Sequence, residues 1–378
     1  MLRQLRGVRL LALFLAFMFV VAACGDDSGD DSSSSDTTDG GGDAAAGDCA
    51  TADSSIWVLL PDSASSDRWE SQDRPAFEAA FDEAGVDYTI VNAEGDAQQQ
   101  QSQADQAIAE GAGVILLTNL DSGSGATIID TARAAGVATV DYDRETVEGD
   151  GADVYVSFDN EVVGATMAEV LEPAIDALDV ETPNIVMLNG GPTDDNARLF
   201  KNGYNATVSA RVEAGDWNLV ADEDVPDWDN DEAGRIMEQI LTDNNNEVDA
   251  VFAANDGLAG AAITAMQNAG LDTSGTPIPI SGQDATVPGI QLILSGDQTM
   301  TVYKPIQAEA AAAAEAALAL QQCEDVGTVA TDTAPVGGGP AILLDPVAVT
   351  ADNIAETVYA DGFVSEDEVC TGDFAQYC

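Results

Sequence analysis

Two doubly wound α/β lobes with parallel sheets, joined by a hinge, are what this 378-residue sequence predicts. Three observations carry the expectation. From residue 55 onward, short apolar runs alternate with helical stretches, the pattern of parallel strands covered on both faces. The alternation runs through once and then again, which divides the body in two. Polar residues gather just after the strands, where open parallel sheets bind their ligands.

Ahead of this body, residues 1–24 read as a secretion signal. Arg3, Arg6 and Arg9 form a positive start, and residues 10–21 (LLALFLAFMFVV) form an apolar run too short for a spanning helix. The run ends Val21-Ala22-Ala23-Cys24-Gly25, which resembles a bacterial lipobox. That resemblance implies cleavage before Cys24 and lipid on its thiol and new amino end, an anchor needing no membrane-spanning helix. Residues 25–53 are a Gly/Ser/Asp-rich linker unable to bury apolar surface. Its reach, roughly 25–30 Å, suits a folded body tethered to the outer face of a cell membrane.

In the first lobe, strands are expected at 56–60 (IWVLL), 88–92, 114–118 (VILLT), 137–140 and 154–156, with helices at 69–84, 98–109 and 127–135. Each helix stops at or just before a glycine, the usual C-cap. In the second, strands fall at 185–188, 217–220, 250–253, 278–280 and 300–303, and helices at 161–178, 197–214, 232–242, 257–268 and 287–294. Residues 299–306 (TMTVYKPI) alternate as a strand and then enter an Ala/Glu-rich helix, with Pro305 suited to its first turn. Lys304 thus stands where a strand stops and the chain crosses between lobes. The expected lobes are 54–158 with about 305–330, and 159–304 with about 340–378, where residues 341–344 would close the second. Besides Cys24, four cysteines remain: Cys49, Cys323, Cys370 and Cys378. In an exported protein they suggest disulfides, with Cys370–Cys378 the first expectation.

Composition excludes several functions. With Lys+Arg 12 against Asp+Glu 68, the formal charge is −56, the opposite of the basic face a nucleic-acid binder needs. Adhesion to anionic lipid surfaces is disfavoured for the same reason. The chain has no histidine, which removes Ser-His-Asp and Cys-His triads and histidine metal sites. Residues 227–238 begin like a calcium loop (DWDND), but the sixth position is Glu232 rather than glycine, so helix capping is the better reading. Gly123-Ser124-Gly125 lacks the third glycine of a dinucleotide loop, since residue 128 is Ile128; a plain tight loop at the cleft edge fits better. No cofactor or metal is expected.

The strand-end clusters are Asp141-Tyr142-Asp143-Arg144, Thr193-Asp194-Asp195-Asn196, Asn255-Asp256, Gln283-Asp284 and Lys304, with Trp228 on a loop. Each residue singly could be a helix cap. Together they supply carboxylates, amides and cations, which satisfy hydroxyls that donate and accept at once, and an indole face that packs on the C–H patches of a sugar ring.

Several longer motifs are specific: Tyr142-Asp143-Arg144; residues 156–161 (VSFDNE); 191–197 (GPTDDNA); 280–285 (ISGQDA); and 298–306 (QTMTVYKPI). On these the chain resembles the type I periplasmic sugar-binding proteins of bacterial ABC transporters, most of all the D-xylose-binding members. The resemblance implies a non-enzymatic, monomeric receptor that closes its lobes on a monosaccharide and presents the closed form to a membrane permease. It implies a pentose held by Asp143 and Arg144 from the first lobe and by Asp194, Asn196, Asn255, Asp284 and Lys304 from the second lobe and hinge, with Trp228 stacking on the ring. The loop 61–67 departs from the pattern: Ser65 or Ser66 stands where the family tends to offer a base, and Arg68, the nearest base, is a further candidate. Two other readings stand beside this one. A sensor subunit would hand the same closed form to a signalling receptor, and an exported glycosidase would use Asp143 and Asp284 as acid and base.

Overall fold

The computed structural model describes residues 51–378 apart from 67, 275 and 276. The signal segment with Cys24, the linker through residue 50, and Cys49 lie outside the described residues.

The first sheet is built from β1 (Ser55–Leu60), β2 (Tyr88–Asn92), β3 (Ala112–Leu117), β4 (Ala138–Tyr142) and β5 (Val154–Phe158), connected through α1 (Arg74–Ala84), α2 (Ala97–Ala109) and α3 (Ser122–Ala135). The strands lie in the order β2-β1-β3-β4-β5 and are all parallel. Both faces are covered, which explains runs with no polar interruption. Ile56, Val58 and Leu60 pack with Phe77 and Phe81 on one face, while Trp57 and Leu59 pack with Ile128 and Ile129 on the other. A period of two thus serves two cores.

The second lobe repeats the plan with α4 (Asn160–Asp176), β6 (Asn184–Asn189), α5 (Asp195–Ala214), β7 (Asn218–Asp224), α6 (Asn230–Asp243), β8 (Ala250–Ala253), α7 (Asp256–Asn268), α8 (Val287–Ser295) and β9 (Thr301–Tyr303). The three-stranded sheet β7-β6-β8 is continued by residues 278–283, which bridge Val251 through Ile280 and Val302 of β9 through Gln283. The strand expected at 278–280 is therefore only a bridge. Pro277 and Pro279 have no N–H to donate, so no regular ladder forms there. α4 and α5 pack backbone to backbone: a Cβ on Gly164 would lie 1.9 Å from the Phe200 carbonyl oxygen, and one on Gly203 2.2 Å from that of Glu161.

The chain crosses between lobes three times: from β5 into α4, from β9 into α9 (Ile306–Gln321), and from β11 (Pro340–Leu344) into β12 (Val347–Val349). After the second crossing, α9 packs against α1 and β3–β5 through Ala310, Ala313, Ala314, Ala316 and Ala317. Pro305 is the residue before that helix rather than in its first turn.

The placement of residues 341–344 in the second lobe is corrected. β11 pairs in parallel with β5, extending the first sheet, and is itself edged by the short β10 (Asp332–Thr333). The second lobe is joined from β12 onward: β12 runs antiparallel to β9, and Ile354, Val358, Phe363, Val364 and Val369 pack into that lobe's core. The apolar run could fill either open sheet edge, and pairing with β5 satisfies the backbone of a strand otherwise left unpaired. Gly123-Ser124-Gly125 is likewise not a loop: it lies in the first turn of α3, whose N-cap Asp121 accepts from the Ser124 amide. Cys370 and Cys378 are disulfide-bonded, and Cys323 is disulfide-bonded as well.

Two buried carboxylates beneath the strand ends make stability pH-dependent. Burial pushes Asp141 and Asp256 up to about 7, although Thr146 donates to the first and Thr286 and Gln298 to the second. A carboxyl whose folded pKa is raised binds its proton more tightly when folded, so its stabilisation is complete below about pH 4 and lost as pH rises through about 7. Easing of the −56 self-repulsion acts in the same direction. The melting temperature should therefore be higher at about pH 5.5 than at about pH 8. A lower value at the acid pH in differential scanning calorimetry would contradict this assignment.

Candidate functional site

Both lobes point the carboxyl ends of their strands at one cleft, with a small cavity at its centre. It is lined by Asp143, Arg144, Asp194, Asn196, Trp228, Asn255, Asp284, Lys304 and Arg68, all nine of the residues singled out in the sequence. Ser65, Ser66, Trp69, Phe200 and Gln283 complete the wall. Trp69 and Phe200 carried no signal beyond position. Trp69 adjoins Arg68, and Phe200 stands four residues after Asn196, on the same face of the first turns of α5.

Asp143 is the centre. It follows β4 with φ +63°, a left-handed conformation uncommon outside glycine. Its Oδ2 accepts from Arg68 Nη1 at 2.9 Å and from Lys304 Nζ at 3.3 Å, and its Oδ1 from Asn196 Nδ2 at 3.2 Å. Its backbone oxygen accepts from Tyr155, Ser157 and Asn196. Burial alone would raise this carboxyl, but Lys304, Arg68 and Arg144 together hold it well below the usual carboxylate range.

Lys304 directly follows β9 at the crossing and is 3% exposed. Its Nζ stands 3.3 Å from Asp143 of the first lobe and 3.6 Å from Asp284 of the second. Asp284, also at positive φ, accepts from Gln283 at 2.8 Å and from Ser66 across the cleft at 3.0 Å. Arg144 reaches Asp194 of the second lobe at 3.0 Å and donates to the Asn119 carbonyl. Burial raises Asp194 despite Arg144; the carboxylate caps α5 at the Asn196 amide and accepts from the Trp228 indole at 3.2 Å. Asn255 caps α7. Asp194 and Asn255 are thus both caps and cavity groups, because a helix that begins at a strand end has its cap at the cleft.

Trp228 also has positive φ and is 7% exposed. Its ring lies over Gly190, where a Cβ would come within 2.0 Å of the indole. Phe200 meets it edge-on at 6.4 Å. The Asp229 carboxylate accepts from the Glu232 amide as the cap of α6, in keeping with the capping rather than the calcium reading.

Arg68 is deeply buried. Asp73 takes its Nε and Nη2 at 3.0 and 2.8 Å, Glu309 takes Nη2 at 3.2 Å, and Trp69 lies under the guanidinium at 4.3 Å. Asp73 closes a single π-helical turn, Trp69–Asp73, a feature frequent at functional sites.

The cavity wall carries three cations (Arg68, Arg144, Lys304) and three carboxylates (Asp143, Asp194, Asp284), in a chain with only 12 bases. Its outer mouth differs, bordered by Asp62, Glu94, Asp121, Asp227, Asp229 and Asp231. Among the described residues, no helix is long and apolar enough to cross a membrane.

A balanced polar cavity with aromatic walls, set between two doubly wound lobes, defines a solute-binding protein. Residues 57–325 match the family model described as a periplasmic binding protein domain. The chain is 37% identical over 303 residues to the D-xylose-binding periplasmic protein of Escherichia coli, covering 80% of this chain and 89% of that protein. It is 38% identical over 303 residues to the protein of the same name from Haemophilus influenzae, covering 80% and 88%. A carbohydrate transporter solute-binding protein from Chloroflexus aurantiacus, solved in complex with D-glucose, superposes with a TM-score of 0.75 at 28% identity, covering 83% of this chain and 97% of that one. The chain belongs to the periplasmic binding protein family. It is a binding protein rather than an enzyme, which sets aside the glycosidase reading of Asp143 and Asp284.

Removing Lys304 leaves two buried carboxylates facing each other. Breaking a buried pair in this way costs roughly 3–5 kcal/mol. Lys304→Met should therefore melt well below the parent without any ligand, and an unchanged melting temperature would show that the charges are solvated instead.

Proposed function

We propose that this protein captures a neutral monosaccharide, D-xylose by preference, and delivers it to the permease of an ABC transporter. The observation that carries the reading is the pairing of donor and acceptor side chains around one small cavity with aromatic walls. A sugar hydroxyl donates one hydrogen bond and accepts others, so it needs carboxylates, amides and cations side by side. Asp143, Arg144, Asp194, Asn196, Asn255, Asp284 and Lys304 supply them, Arg68 stands behind, and Trp228 offers a face to the ring's C–H groups. The carboxylates at the mouth oppose sugar acids and phosphates. The preference for xylose rests on the two relatives of that name, and the glucose-bound structure keeps hexoses in the comparison.

Binding and lobe closure are one event in this reading. The residues that would hold the sugar already reach across the cleft to one another: Arg144 to Asp194, Asn196 to Asp143, Ser66 to Asp284. A ligand drives closure only through contacts it makes better in the closed form. A sugar with an inverted or missing hydroxyl leaves a buried group unpaired and is rejected for that reason. Residues 1–24 then act as a lipoprotein signal peptide, Cys24 as the anchor, and residues 25–53 as the tether of an exported, monomeric receptor.

Calorimetric titration with xylose, ribose, arabinose, glucose and galactose tests the reading. Xylose should bind most tightly; heat from a hexose alone would move the assignment to that sugar, and no heat from any would end the sugar reading. Trp228→Ala should weaken binding on the order of tenfold or more, through loss of the ring contact, and unchanged affinity would place the ligand elsewhere. Cys24→Ser should move the protein from the membrane fraction to the soluble fraction, whereas retention in membranes would rule out the lipid anchor.

A further inference from the structure

Glu309 is a fully buried carboxyl that the binding reading above leaves without a role. It lies in the first turn of α9, five residues after Lys304, and does not line the cavity. Its Oε2 accepts from Arg68 Nη2 at 3.2 Å, and its Oε1 is buried with no hydrogen-bond partner. The guanidinium it touches is the one that donates to Asp143 at 2.9 Å from the opposite side. Two carboxyls, one in the cavity and one behind it, thus share a single cation.

We propose that Glu309 is a positioning residue for the ligand site: protonated, it leaves Arg68 committed to Asp143, and ionised, it draws Arg68 away and weakens sugar binding. The inference rests on the sugar-binding reading of Asp143.

The charge count beneath the cavity favours a neutral Glu309. The groups facing it are Arg68 and Asp73 from the π-helical turn, Tyr142 and Asp143 from β4, Tyr155 from β5 and Lys304 at the crossing. Asp73 already holds Arg68 through two contacts and accepts from the Tyr142 hydroxyl at 2.7 Å. Lys304 is shared between Asp143 and Asp284. An ionised Glu309 would add an anion where both cations are already engaged and water is excluded, the costly arrangement for a buried charge. In line with this, burial and the nearby Asp143 push Glu309 well above the ordinary carboxyl range, against the pull of Arg68 and Lys304.

The sign follows. Losing the proton places a negative charge 3.2 Å from Arg68 Nη2, competing with Asp143 for the guanidinium and repelling Asp143 itself. The carboxylate that is to accept from sugar hydroxyls is then less firmly oriented. The sugar-bound state prefers the protonated form, so affinity falls as pH rises through the Glu309 titration, by at most roughly tenfold per pH unit.

The test is a calorimetric affinity profile between about pH 5.5 and pH 9 for the full-length parent and Glu309→Gln, using whichever monosaccharide the parent binds. Glutamine keeps the shape and the oxygen that accepts from Arg68 but cannot ionise. The parent should lose affinity toward the alkaline end while E309Q stays level there and matches the parent at the acid end. Melting curves without sugar separate this from a change in fold stability, which would not bend the affinity profile. Should E309Q fail to fold, Glu309→Leu takes its place, with the same level alkaline limb expected. Parallel profiles for parent and variant would overturn the proposal while leaving the sugar site intact. Absence of any monosaccharide binding by the parent would overturn the sugar-site reading and, with it, this inference.

Discussion

The structure depends on one buried carboxylate, Asp143, held by Lys304 from the interlobe crossing and by Arg68 from below. At 3.3 Å and an effective dielectric near 20, the attraction to Lys304 is on the order of 5 kcal/mol. Removing either ion from water costs several kcal/mol. The two nearly cancel, so the pair is better understood as fixing geometry than as adding stability. It places an oriented acceptor at the junction of two lobes that also meet through Arg144–Asp194 and Ser66–Asp284.

That geometry is bought with rare residues. Three of the chain's 12 bases stand at the cavity and each faces at least one carboxylate there. Most other acids lie at the surface, although Asp73, Asp141, Asp256 and Glu309 are buried and hydrogen-bonded. The acidity sets the surface and long-range field, while the cavity is kept close to neutral. The adjoining mouth, with six flanking carboxylates, lies between these regimes.

Much of the site was legible because an α/β lobe has only one place to put it. Strand ends face the cleft, so polar residues directly after a strand, such as Asp143, Asp194, Asn255 and Asp284, could be assigned together even though each alone resembles a cap. Asp194 and Asn255 are in fact caps as well, and chemistry alone does not separate the two roles. Phe200 and Trp69 escaped notice because an aromatic in a helical stretch reads as core, and only the approach of the opposite lobe makes it a wall. Arg68 was a candidate only as the base nearest the departing loop; its burial depends on Asp73 and Glu309, carboxyls that no motif in the sequence links to it.

By itself the sequence determined the two successive sets of strands and helices, the crossing at Lys304 and the polar character of the strand ends. These are local or periodic properties, written in the spacing of apolar residues and in which residue follows a strand. The tertiary structure alone decided which edge took residues 341–344, how the glycines at 164 and 203 let α4 and α5 touch, and which carboxyl behind the cavity shares Arg68 with Asp143. Edge choice, close approach and the charge state of a buried acid are set by neighbours distant in the chain, and those neighbours exist only once the lobes have folded.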